Sequence, residues 1–497
     1  MIEKIFIVFI IILGIYYMYL ASQTQMLGED EVSYYVLGKD FSSLRYPAFD
    51  DLGRNLPLSP FTSLLYAVPF MVFGSSLALA KMIIAFFGAL TLIMVYLIGK
   101  KINIWYGIIA AFLLLSITLF TNFMFISYEE VPIAFFSALV TYLLLSLDST
   151  KKAILIGVIT SVATLTKQSG LLLLVGIFIY IIFLYFNERD KKYIKFLIVS
   201  FVAALVLIMP FIIRNFIIYK YTYMYGLNFL FKNPSVQIPL EGVSNKMLSP
   251  SMLTIQNYIS NFGWIIVISS ILGFSWFLVE ISSGTKITKQ LFFFVSFSAV
   301  FILIYYFFYF FDLAILEPRY FFLIFPQISL LGSFFFLKLK ERNRYLIMFV
   351  LVIVALSFYS SISIALSTAS TQRYPSDYID ALKWIKQNTK NDSIILTTYG
   401  GSLKYFADRN NIWTDDMHGD LPSVMESTNS SYIYDVIKKY NVSYILVWRG
   451  VLGQNFIIPQ SNLYGVFTYT FLNSVLTDSS HFNVTYQNQD NIIFKLN

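Results

Sequence analysis

Long apolar runs, separated by short polar connections, follow one another through residues 1–366 of this chain. Only 13% of its residues are charged and 57% are hydrophobic, whereas a soluble globular domain carries about a quarter charged residues. A spanning helix needs roughly 20 mainly apolar residues, so the pattern predicts a polytopic α-helical membrane protein with about eleven spanning helices. The apolar segments are approximately 5–20, 79–99, 105–124, 131–147, 153–166, 169–186, 196–213, 262–281, 291–311, 320–337 and 345–366.

Four segments qualify this count of spanning helices. The segments 153–166 and 169–186 are short, so the number eleven holds to within one or two. The run 61–74 is apolar but contains Pro69, which indicates an interfacial or re-entrant element. The N-terminal run lacks a convincing small-residue cleavage site, which favours an uncleaved first helix over a signal peptide.

Basic residues cluster in connections that fall on one side of the membrane when eleven helices are counted. The clusters are Lys100-Lys101, Lys151-Lys152, Arg189 through Lys195, Lys286 with Lys289, and Lys338 through Arg344. The positive-inside rule makes that side cytoplasmic. The N-terminus is then cytoplasmic, and residues 21–78 form a long first outer loop in a multi-pass protein of the plasma membrane. The net charge of +7 is explained by these clusters and does not indicate nucleic acid.

The composition changes after residue 366, which predicts a separate domain over 367–497 on the outer side. Hydrophobic periodicity predicts helices over 378–388 and 432–440. Strands are predicted over 393–397 and 442–448, so the tail is expected to be a small α/β domain of the βαβ type. Four Asn-X-Ser/Thr sequons support the outside position, because such acceptors are used only there. They begin at Asn391, Asn429, Asn441 and Asn483.

Several common kinds of site have no support in the sequence. The absence of cysteine excludes disulfides and thiolate metal ligands. His418 and His481 have no partners at metal-binding spacing and are interpreted as surface residues. Gly400-Gly401 is interpreted as a turn, because no phosphate-loop or dinucleotide-binding pattern occurs.

The charges that remain gather at the outer ends of the predicted helices. Glu29-Asp30-Glu31 directly follows the first helix, and carboxylates so close to a bilayer usually mark a functional site; a solvated loop is the alternative. Glu129-Glu130 fills a very short loop and is either a helix-end cap or a functional pair. Lys167 lies on the outer side, against the positive-inside trend, which an anionic ligand would explain better than a turn would. Arg214 and Arg319 lie at helix ends and suit either phosphate or lipid headgroups.

Together these motifs resemble the GT-C superfamily of membrane glycosyltransferases, and are most similar to the lipid A aminoarabinose transferases and protein O-mannosyltransferases. The matching stretches are Asp30-Glu31-Val32-Ser33-Tyr34, Asn55-Leu56-Pro57-Leu58-Ser59-Pro60, Glu129-Glu130-Val131-Pro132, Leu165-Thr166-Lys167-Gln168-Ser169-Gly170 and Arg319-Tyr320. Two positions depart from the aminoarabinose transferases: Ser33 stands in place of Arg, and Asn55-Leu56-Pro57 in place of Lys-Pro-Pro. The Trp-Trp-Asp signature of oligosaccharyltransferases is missing, since Trp413-Thr414-Asp415-Asp416 is no adequate substitute.

The resemblance implies an inverting glycosyltransferase that moves a sugar from a polyprenyl or dolichyl phosphate to a glycan, lipid or protein acceptor outside the cytoplasm. It implies Asp30 as general base and Glu31 as its helper. The residues implied to hold the donor phosphate are Lys167, Arg214 and Arg319. The residues implied to bind substrate are Tyr34, Arg54, Glu129 and Glu130. If a divalent cation takes part, Mg²⁺ or Mn²⁺ suits the oxygen ligands of Asp30, Glu129 and Glu130.

Three other functions are weighed against the transferase. A transporter or lipid-linked-sugar flippase would place ionisable residues near the membrane midplane and broken helices in paired halves. En bloc glycan transfer, as in oligosaccharyltransferases, is the second enzyme reading, and a non-catalytic scaffold presenting the tail is the third alternative. The Ile-, Tyr- and Asn-rich composition favours an archaeal source with dolichol-type carriers. The sugar, the acceptor and the oligomeric state do not follow from the sequence.

Overall fold

The computed structural model divides the chain into two compact units. One comprises Met1–Thr24, Tyr34–Ala48 and Asn55–Thr371, and the other comprises Gln25–Ser33, Phe49–Arg54 and Gln372–Asn497. The residues described are 2–25, 29–47, 59–219, 261–280, 286–310, 318–342, 346–371, 373–397, 400–413, 420–425, 427–448 and 469–497.

The first unit is built from helices. These are α1 (Ile2–Ser22), α2 (Glu29–Ser42, whose first five residues group with the second unit), α3 (Pro60–Phe73), α4 (Leu77–Lys100), α5 (Ile104–Leu115), α6 (Thr118–Phe123), α7 (Glu130–Leu144), α8 (Thr150–Thr166), α9 (Leu172–Glu188), α10 (Lys192–Tyr219), α11 (Trp264–Glu280), α12 (Lys286–Phe310), α13 (Phe325–Arg342) and α14 (Leu346–Thr371). Two short 3-10 turns, Gln168–Leu171 and Pro318–Leu323, precede α9 and α13.

The helices agree with the apolar pattern of the sequence, and the chain is a helical membrane protein. Among the described residues, four helical stretches are long and apolar enough to cross a bilayer. They are Ile2–Ser22, Leu77–Lys100, Gln168–Glu188 and Lys192–Ile218. The structure also has shorter apolar helices, including α3, α5, α7 and α11, so the predicted number of spans stays a prediction.

One predicted helix is wrong in its continuity. The apolar segment 105–124 is not a single helix, because α5 ends at Leu115 and α6 begins at Thr118. Ser116 closes α5: its hydroxyl donates to the carbonyl of Leu113 at 2.7 Å. A hydroxyl that bonds the preceding turn offers the backbone an alternative to a continued helix, and a hydropathy window does not register it.

Helices α8 and α10 approach each other unusually closely. A Cβ added at Gly157 in α8 would lie 2.2 Å from the carbonyl oxygen of Ser200 in α10. Ser200 Oγ in turn donates to the carbonyl of Ala153 at 2.9 Å. Small residues and interhelical hydrogen bonds of this kind hold membrane helices together. The close contact fixes α8 and α10 as a pair, which matters because Lys167 directly follows α8 and Arg214 lies in the last two turns of α10.

The second unit contains a five-stranded mixed sheet with helices on both faces. Its strands are β1 (Ile394–Thr397), β2 (Asn410–Trp413), β3 (Val442–Trp448), β4 (Phe482–Gln487) and β5 (Asn491–Leu496), in the order β2-β1-β3-β5-β4. Strands β2, β1 and β3 pair in parallel, whereas β5 pairs antiparallel with both β3 and β4. The helices are α15 (Ser376–Asn388), α16 (Gly400–Ala407), α17 (Leu421–Val424), α18 (Ser430–Lys439) and α19 (Tyr469–Thr477).

Alternating strand residues build the two faces of this sheet. Ile395 packs with residues of α15 and α16, whereas the neighbouring Leu396 packs with residues of α17, α18 and α19. The helix and strand expected over 378–388 and 393–397 correspond to α15 and β1. The turn expected at Gly400-Gly401 is wrong, because both glycines begin α16.

Arg409 is a buried cation that closes the end of α15. It is 4% exposed, and its guanidinium donates to the carbonyls of Lys386 and Thr389, both at 2.8 Å. It also donates to Thr389 Oγ1 at 2.9 Å and to the carbonyl of Ala407 at 3.0 Å. The carbonyls at a helix end lack partners within the helix, and a cation there is favourable.

The substitution Arg409→Met is therefore expected to destabilise the second unit by at least about 2 kcal/mol, because it leaves buried carbonyls without donors. Tryptophan fluorescence of the full-length protein would follow its thermal unfolding; three of its six tryptophans, Trp384, Trp413 and Trp448, belong to this unit. The matched control is Lys383→Met, since Lys383 makes an exposed ion pair with Asp380 at 2.9 Å. Such pairs contribute under about 1 kcal/mol. Equal effects of the two substitutions would contradict the assignment.

Candidate functional site

Two carboxylates stand at the start of α7, and the loop before them is held in place. Glu130 is the first helical residue and Glu129 precedes it as the N-cap, a position where a negative charge is favourable. Tyr66 of α3 is fully buried and donates its hydroxyl to the carbonyl of Ser127 at 2.8 Å. The run that the sequence marks as interfacial therefore anchors the loop that carries both acids.

Lys167 faces these carboxylates from the turn between α8 and α9. Its Nζ lies 2.6 Å from Glu130 Oε1 and 3.2 Å from Glu129 Oε1. The turn is tight: a Cβ at Gly170 would lie 2.4 Å from the carbonyl carbon of Ala163 in α8. Only a glycine lets the chain pass so close, and the Gly170 amide then donates to the Lys167 carbonyl at 2.8 Å. Gly170 thus allows the turn that directs Lys167 back toward α7.

Arg319 joins the same group of charges from the 3-10 turn before α13. Its Nε lies 3.9 Å from Glu130 Oε1. Aromatic rings flank the two cations: the Tyr320 ring centroid lies 5.0 Å from Lys167 Nζ and 5.8 Å from the Arg319 guanidinium carbon, and the Tyr128 ring lies at 5.8 Å from that same carbon. We call Glu129, Glu130, Lys167 and Arg319 the charge cluster.

The charge cluster pairs two acids with two cations and is only partly accessible. Burial raises the pKa of Glu130 to about 7, although the Lys167 cation beside it acts to lower that pKa. Glu130 is fully buried, the Lys167 and Glu129 side chains are 11% and 13% exposed, and that of Arg319 is 27% exposed. Burial alone would lower the pKa of Lys167, but the carboxylates of Glu129 and Glu130 outweigh it and raise the pKa above its usual value. Lys167 is therefore a cation at neutral pH. Breaking such a buried pair by removing one partner is costly.

A polar contact inside the bundle ties the Arg319 turn to α7. The Gln327 amide of α13 lies within 3.0 Å of Ser137 Oγ and 2.8 Å of Thr141 Oγ1, and all three residues are fully buried. Ser137 Oγ also donates to the carbonyl of Leu323, the last residue of the turn, at 2.6 Å. This contact fixes the turn against the helix that begins with Glu130.

Replacing Gln327 by Leu is expected to lower stability by about 1–3 kcal/mol, because it leaves two buried hydroxyls with fewer partners. The thermal unfolding midpoint of the purified membrane protein would measure this loss. Ser275→Ala is a suitable control, since the exposed Ser275 hydroxyl donates to the carbonyl of Ile271 in its own helix at 3.0 Å. An unchanged midpoint for Gln327→Leu would show that the contact does not secure the turn.

Arg214 of α10 makes its own set of contacts. Its guanidinium carbon lies 3.8 Å from the Tyr46 ring centroid, and it donates to the carbonyl of Pro47 and to Asn215 Oδ1, both at 3.0 Å. An apolar patch links this end of α10 to the Lys167 turn: Ile208 and Phe211 pack with Leu165, Leu171 and Ile212. The turn with Lys167 and the helix end with Arg214 therefore share a hydrophobic support.

The other residues expected from the sequence are described only in part. Asp30 and Glu31 lie in the first turn of α2, where Glu31 is 3% exposed. The side chain of Asp30 and the whole of Arg54 lie outside the described residues. Tyr34 is buried, and its carbonyl accepts a hydrogen bond from Ser63 Oγ at 3.1 Å. The catalytic, phosphate-binding and substrate-binding roles of all these residues stay predictions.

A metal site does not follow from the described residues. No group of three or more histidine, cysteine, aspartate or glutamate side chains occurs among them. Glu129 and Glu130 supply two carboxylates, and both are already paired with Lys167. The side chain of Asp30, the third expected ligand, lies outside the described residues, so the metal site stays a prediction and no chemical step is assigned to a divalent cation. The ring Nδ1–H of His481, a residue expected at the surface, donates a hydrogen bond to Asp478 Oδ2 at 2.6 Å, and His418 lies outside the described residues.

Sequence reasoning missed an ionisable side chain inside the bundle. Lys81 in the first turns of α4 is fully buried, although it was absorbed into the apolar segment 79–99. The available signal was its charge within a membrane helix, which by default marks a functional site. Gln327 was missed as well, because one amide barely changes the average hydropathy of an apolar segment.

Comparison with known proteins agrees with this architecture. Residues 57–213 match the family model of dolichyl-phosphate-mannose-protein mannosyltransferases. No curated protein matches the chain. The matched range contains Glu129, Glu130 and Lys167, whereas Arg319 lies beyond it.

Solved structures share the fold at low sequence identity. ArnT from Cupriavidus metallidurans, bound to undecaprenyl phosphate, is 12% identical with a TM-score of 0.64, covering 98% of this chain and 97% of its own. The oligosaccharyltransferase of Archaeoglobus fulgidus, in complex with Zn and sulfate, is 16% identical with a TM-score of 0.63, covering 88% and 67%. AglB of the same organism, with an inhibitory peptide and a dolichol-phosphate, is 14% identical with a TM-score of 0.61, covering 90% and 70%. The predicted resemblance to GT-C membrane glycosyltransferases is supported by this shared fold and by the family match over residues 57–213.

Proposed function

We propose that this protein is an inverting glycosyltransferase that moves a sugar from a polyprenyl or dolichyl phosphate to an acceptor at the outer face of the membrane. The observation that carries the proposal is the charge cluster. Lys167 and Arg319 converge on Glu130 at the start of an apolar helix, within or beside the range matched by the mannosyltransferase model. A cation buried among membrane helices is expensive and is retained where it serves a ligand.

The donor phosphate would bind at Lys167 and Arg319, with Arg214 nearby on α10. When the bond between the anomeric carbon and the phosphate oxygen breaks, the leaving polyprenyl phosphate gains negative charge. Cations fixed in a partly buried site stabilise that charge without reorganisation. Arginine adds planar, bidentate contacts to phosphate oxygens. The prenyl chain stays in the bilayer. An enzyme that uses such a donor therefore needs apolar helices that hold its site within reach of the membrane.

The acceptor would be activated by the acids that open α2. A hydroxyl is a weak nucleophile at neutral pH, and a positioned carboxylate can take its proton during the attack. In this scheme Asp30 receives the proton and Glu31 orients Asp30 or the acceptor. The bond from the acceptor oxygen to the anomeric carbon forms as the bond to phosphate breaks on the opposite face, so the configuration inverts. Tyr34, Arg54 and Glu129 are proposed to bind the substrates.

The proposed reaction also requires a particular orientation of the chain in the membrane. The N-terminus is proposed to be cytoplasmic, and the unit that holds residues 372–497 to lie outside the plasma membrane, where its four sequons would be usable. The basic connections, such as Lys100-Lys101 after α4 and Arg189 after α9, would then face the cytoplasm.

En bloc transfer of a whole glycan is the second candidate. It is favoured by one observation: the fold likeness to the oligosaccharyltransferase from A. fulgidus has nearly the same TM-score as that to ArnT, 0.63 against 0.64, although it covers 88% of this chain and not 98%. The two functions differ in the donor, since one uses a lipid monophosphate with a single sugar and the other a lipid-linked oligosaccharide.

Reconstituted protein tests the proposal. Proteoliposomes would receive radiolabelled dolichyl-phosphate-mannose or dolichyl-phosphate-glucose together with an extract of acceptors from the source membranes. The proposal predicts that label leaves the lipid for a non-lipid product, and that Arg319→Met reduces this transfer by about 100-fold or more. Movement of the intact labelled lipid across the bilayer without transfer would indicate a flippase instead.

A further inference from the structure

We propose that Glu130 binds a hydroxyl group of the donor sugar, directly beside the phosphate that Lys167 and Arg319 hold. This inference rests on the proposed function and deepens it, because it makes Glu130 a residue that distinguishes a sugar-bearing lipid phosphate from a bare one.

The two oxygens of the Glu130 carboxylate are in different situations. Oε1 takes the contacts to both cations, at 2.6 Å from Lys167 and 3.9 Å from Arg319. Oε2 is buried and has no hydrogen-bond partner among the described residues. A carboxylate accepts hydrogen bonds on both oxygens, and a buried acceptor without a donor is costly. Oε2 is therefore the atom left to receive a donor from a ligand.

A second unpartnered group lies on the turn that carries Lys167. Ser169 Oγ is buried and likewise has no hydrogen-bond partner among the described residues. A hydroxyl both donates and accepts, so it suits a ligand that does the same. Glu130 Oε2 is therefore an acceptor at the start of α7, and Ser169 Oγ is a hydroxyl two residues after Lys167. The ion pair between Lys167 and Glu130 joins the two segments that carry these atoms.

The charge balance points to the same ligand chemistry. Glu129 and Glu130 offset Lys167 and Arg319, so an inorganic anion alone would meet two carboxylates as well as two cations. A sugar ester of phosphate brings an anion for the cations and hydroxyl donors for the carboxylate. A site built to bond a hydroxyl also rejects analogues that lack it, because its polar group then stays unpaired.

Two substitutions separate this role from a structural one. Glu130→Gln keeps the shape of the side chain but weakens its acceptor strength, and Glu129→Gln is the charge-matched comparison because Glu129 also pairs with Lys167. Ser169→Ala removes a hydroxyl that bonds nothing in the described protein. A purely structural role therefore predicts no effect of Ser169→Ala on binding, and both roles predict an unchanged unfolding midpoint for that variant.

The experiment measures equilibrium binding of radiolabelled dolichyl phosphate, dolichyl-phosphate-mannose and dolichyl-phosphate-glucose to the full-length protein in nanodiscs. Glu130→Gln is expected to weaken the binding of the better-bound sugar lipid about tenfold or more, which is the factor for one hydrogen bond to a charged group. The binding of dolichyl phosphate should weaken far less. Ser169→Ala should shift binding in the same direction, and Glu129→Gln should affect both kinds of lipid about equally.

The outcomes that overturn the inference are distinct from those that overturn the proposed function. Glu130 does not bind the sugar if Glu130→Gln weakens the binding of all three lipids equally, or of none of them. The same conclusion follows if the wild-type protein binds the sugar lipids no better than dolichyl phosphate. If the wild-type protein binds none of the three lipids, the proposed function fails and this inference fails with it. If Glu130→Gln lowers the unfolding midpoint, the binding measurements on Ser169→Ala decide: weaker binding of the sugar lipid supports the inference, and unchanged binding contradicts it.

Discussion

Asp30→Asn is expected to reduce sugar transfer by about 100- to 10,000-fold, the range that a general base contributes. Asparagine keeps the size of the side chain but cannot accept the proton of the acceptor hydroxyl. Binding of dolichyl phosphate should change little, because the proposed phosphate ligands, Lys167 and Arg319, are untouched. The measurement is the initial rate of label transfer in proteoliposomes at saturating donor.

The control for this substitution lies in the same helix. Asp40 of α2 pairs with Arg45 at 3.0 Å, and the Arg45 side chain is 70% exposed. Such a pair contributes little to stability, so Asp40→Asn should leave transfer within about twofold of the wild-type rate. Full activity of the Asp30→Asn variant would remove Asp30 as the base, and an equal loss in both variants would point to damage of α2.

Lys167→Met is expected to damage both stability and activity. It removes the cation from between Glu129 and Glu130 and leaves two carboxylates facing each other, one of them fully buried. Breaking a buried pair from one side costs about 3–5 kcal/mol. The loss of a cation at the leaving phosphate should lower transfer by about 100-fold or more. Thermal unfolding and transfer would be measured on the same preparation.

The double variant Lys167→Met/Glu130→Gln separates the two effects. Removing both charges relieves the uncompensated carboxylate, so part of the lost stability should return, while transfer stays low because the phosphate has lost its cation. Lys167→Arg keeps the charge and should retain more activity than Lys167→Met does. If the double variant recovered full transfer, Lys167 would be a structural partner of Glu130 and nothing more.

The helices of the first unit were largely predictable because their length and apolar character are local properties. The break at Ser116 was not, since it depends on one hydroxyl that bonds the preceding turn. The boundaries of the 3-10 turn at Pro318–Leu323 escaped notice for a similar reason: a hydropathy window registers composition and not hydrogen-bond spacing.

The site was predictable as a set of residues but not as an arrangement. Lys167 stood out as a cation on the unexpected side of the membrane, and Glu129-Glu130 as acids in a short loop. Their pairing joins positions 37 residues apart, which depends on how α7 and α8 pack. No pattern in one sequence reports such a contact. Arg409 was invisible too, because a buried arginine that caps a helix has the same local sequence context as an exposed one.

A structure of the full-length protein with dolichyl phosphate in a nanodisc tests the central claim most directly. The account predicts a phosphate oxygen at about 2.7–2.9 Å from Lys167 Nζ, the distance of a charge-assisted hydrogen bond, with the Arg319 guanidinium on the same phosphate and the prenyl chain among the apolar helices. A phosphate bound at the cytoplasmic ends of the helices, or away from Lys167 and Arg319, would contradict it.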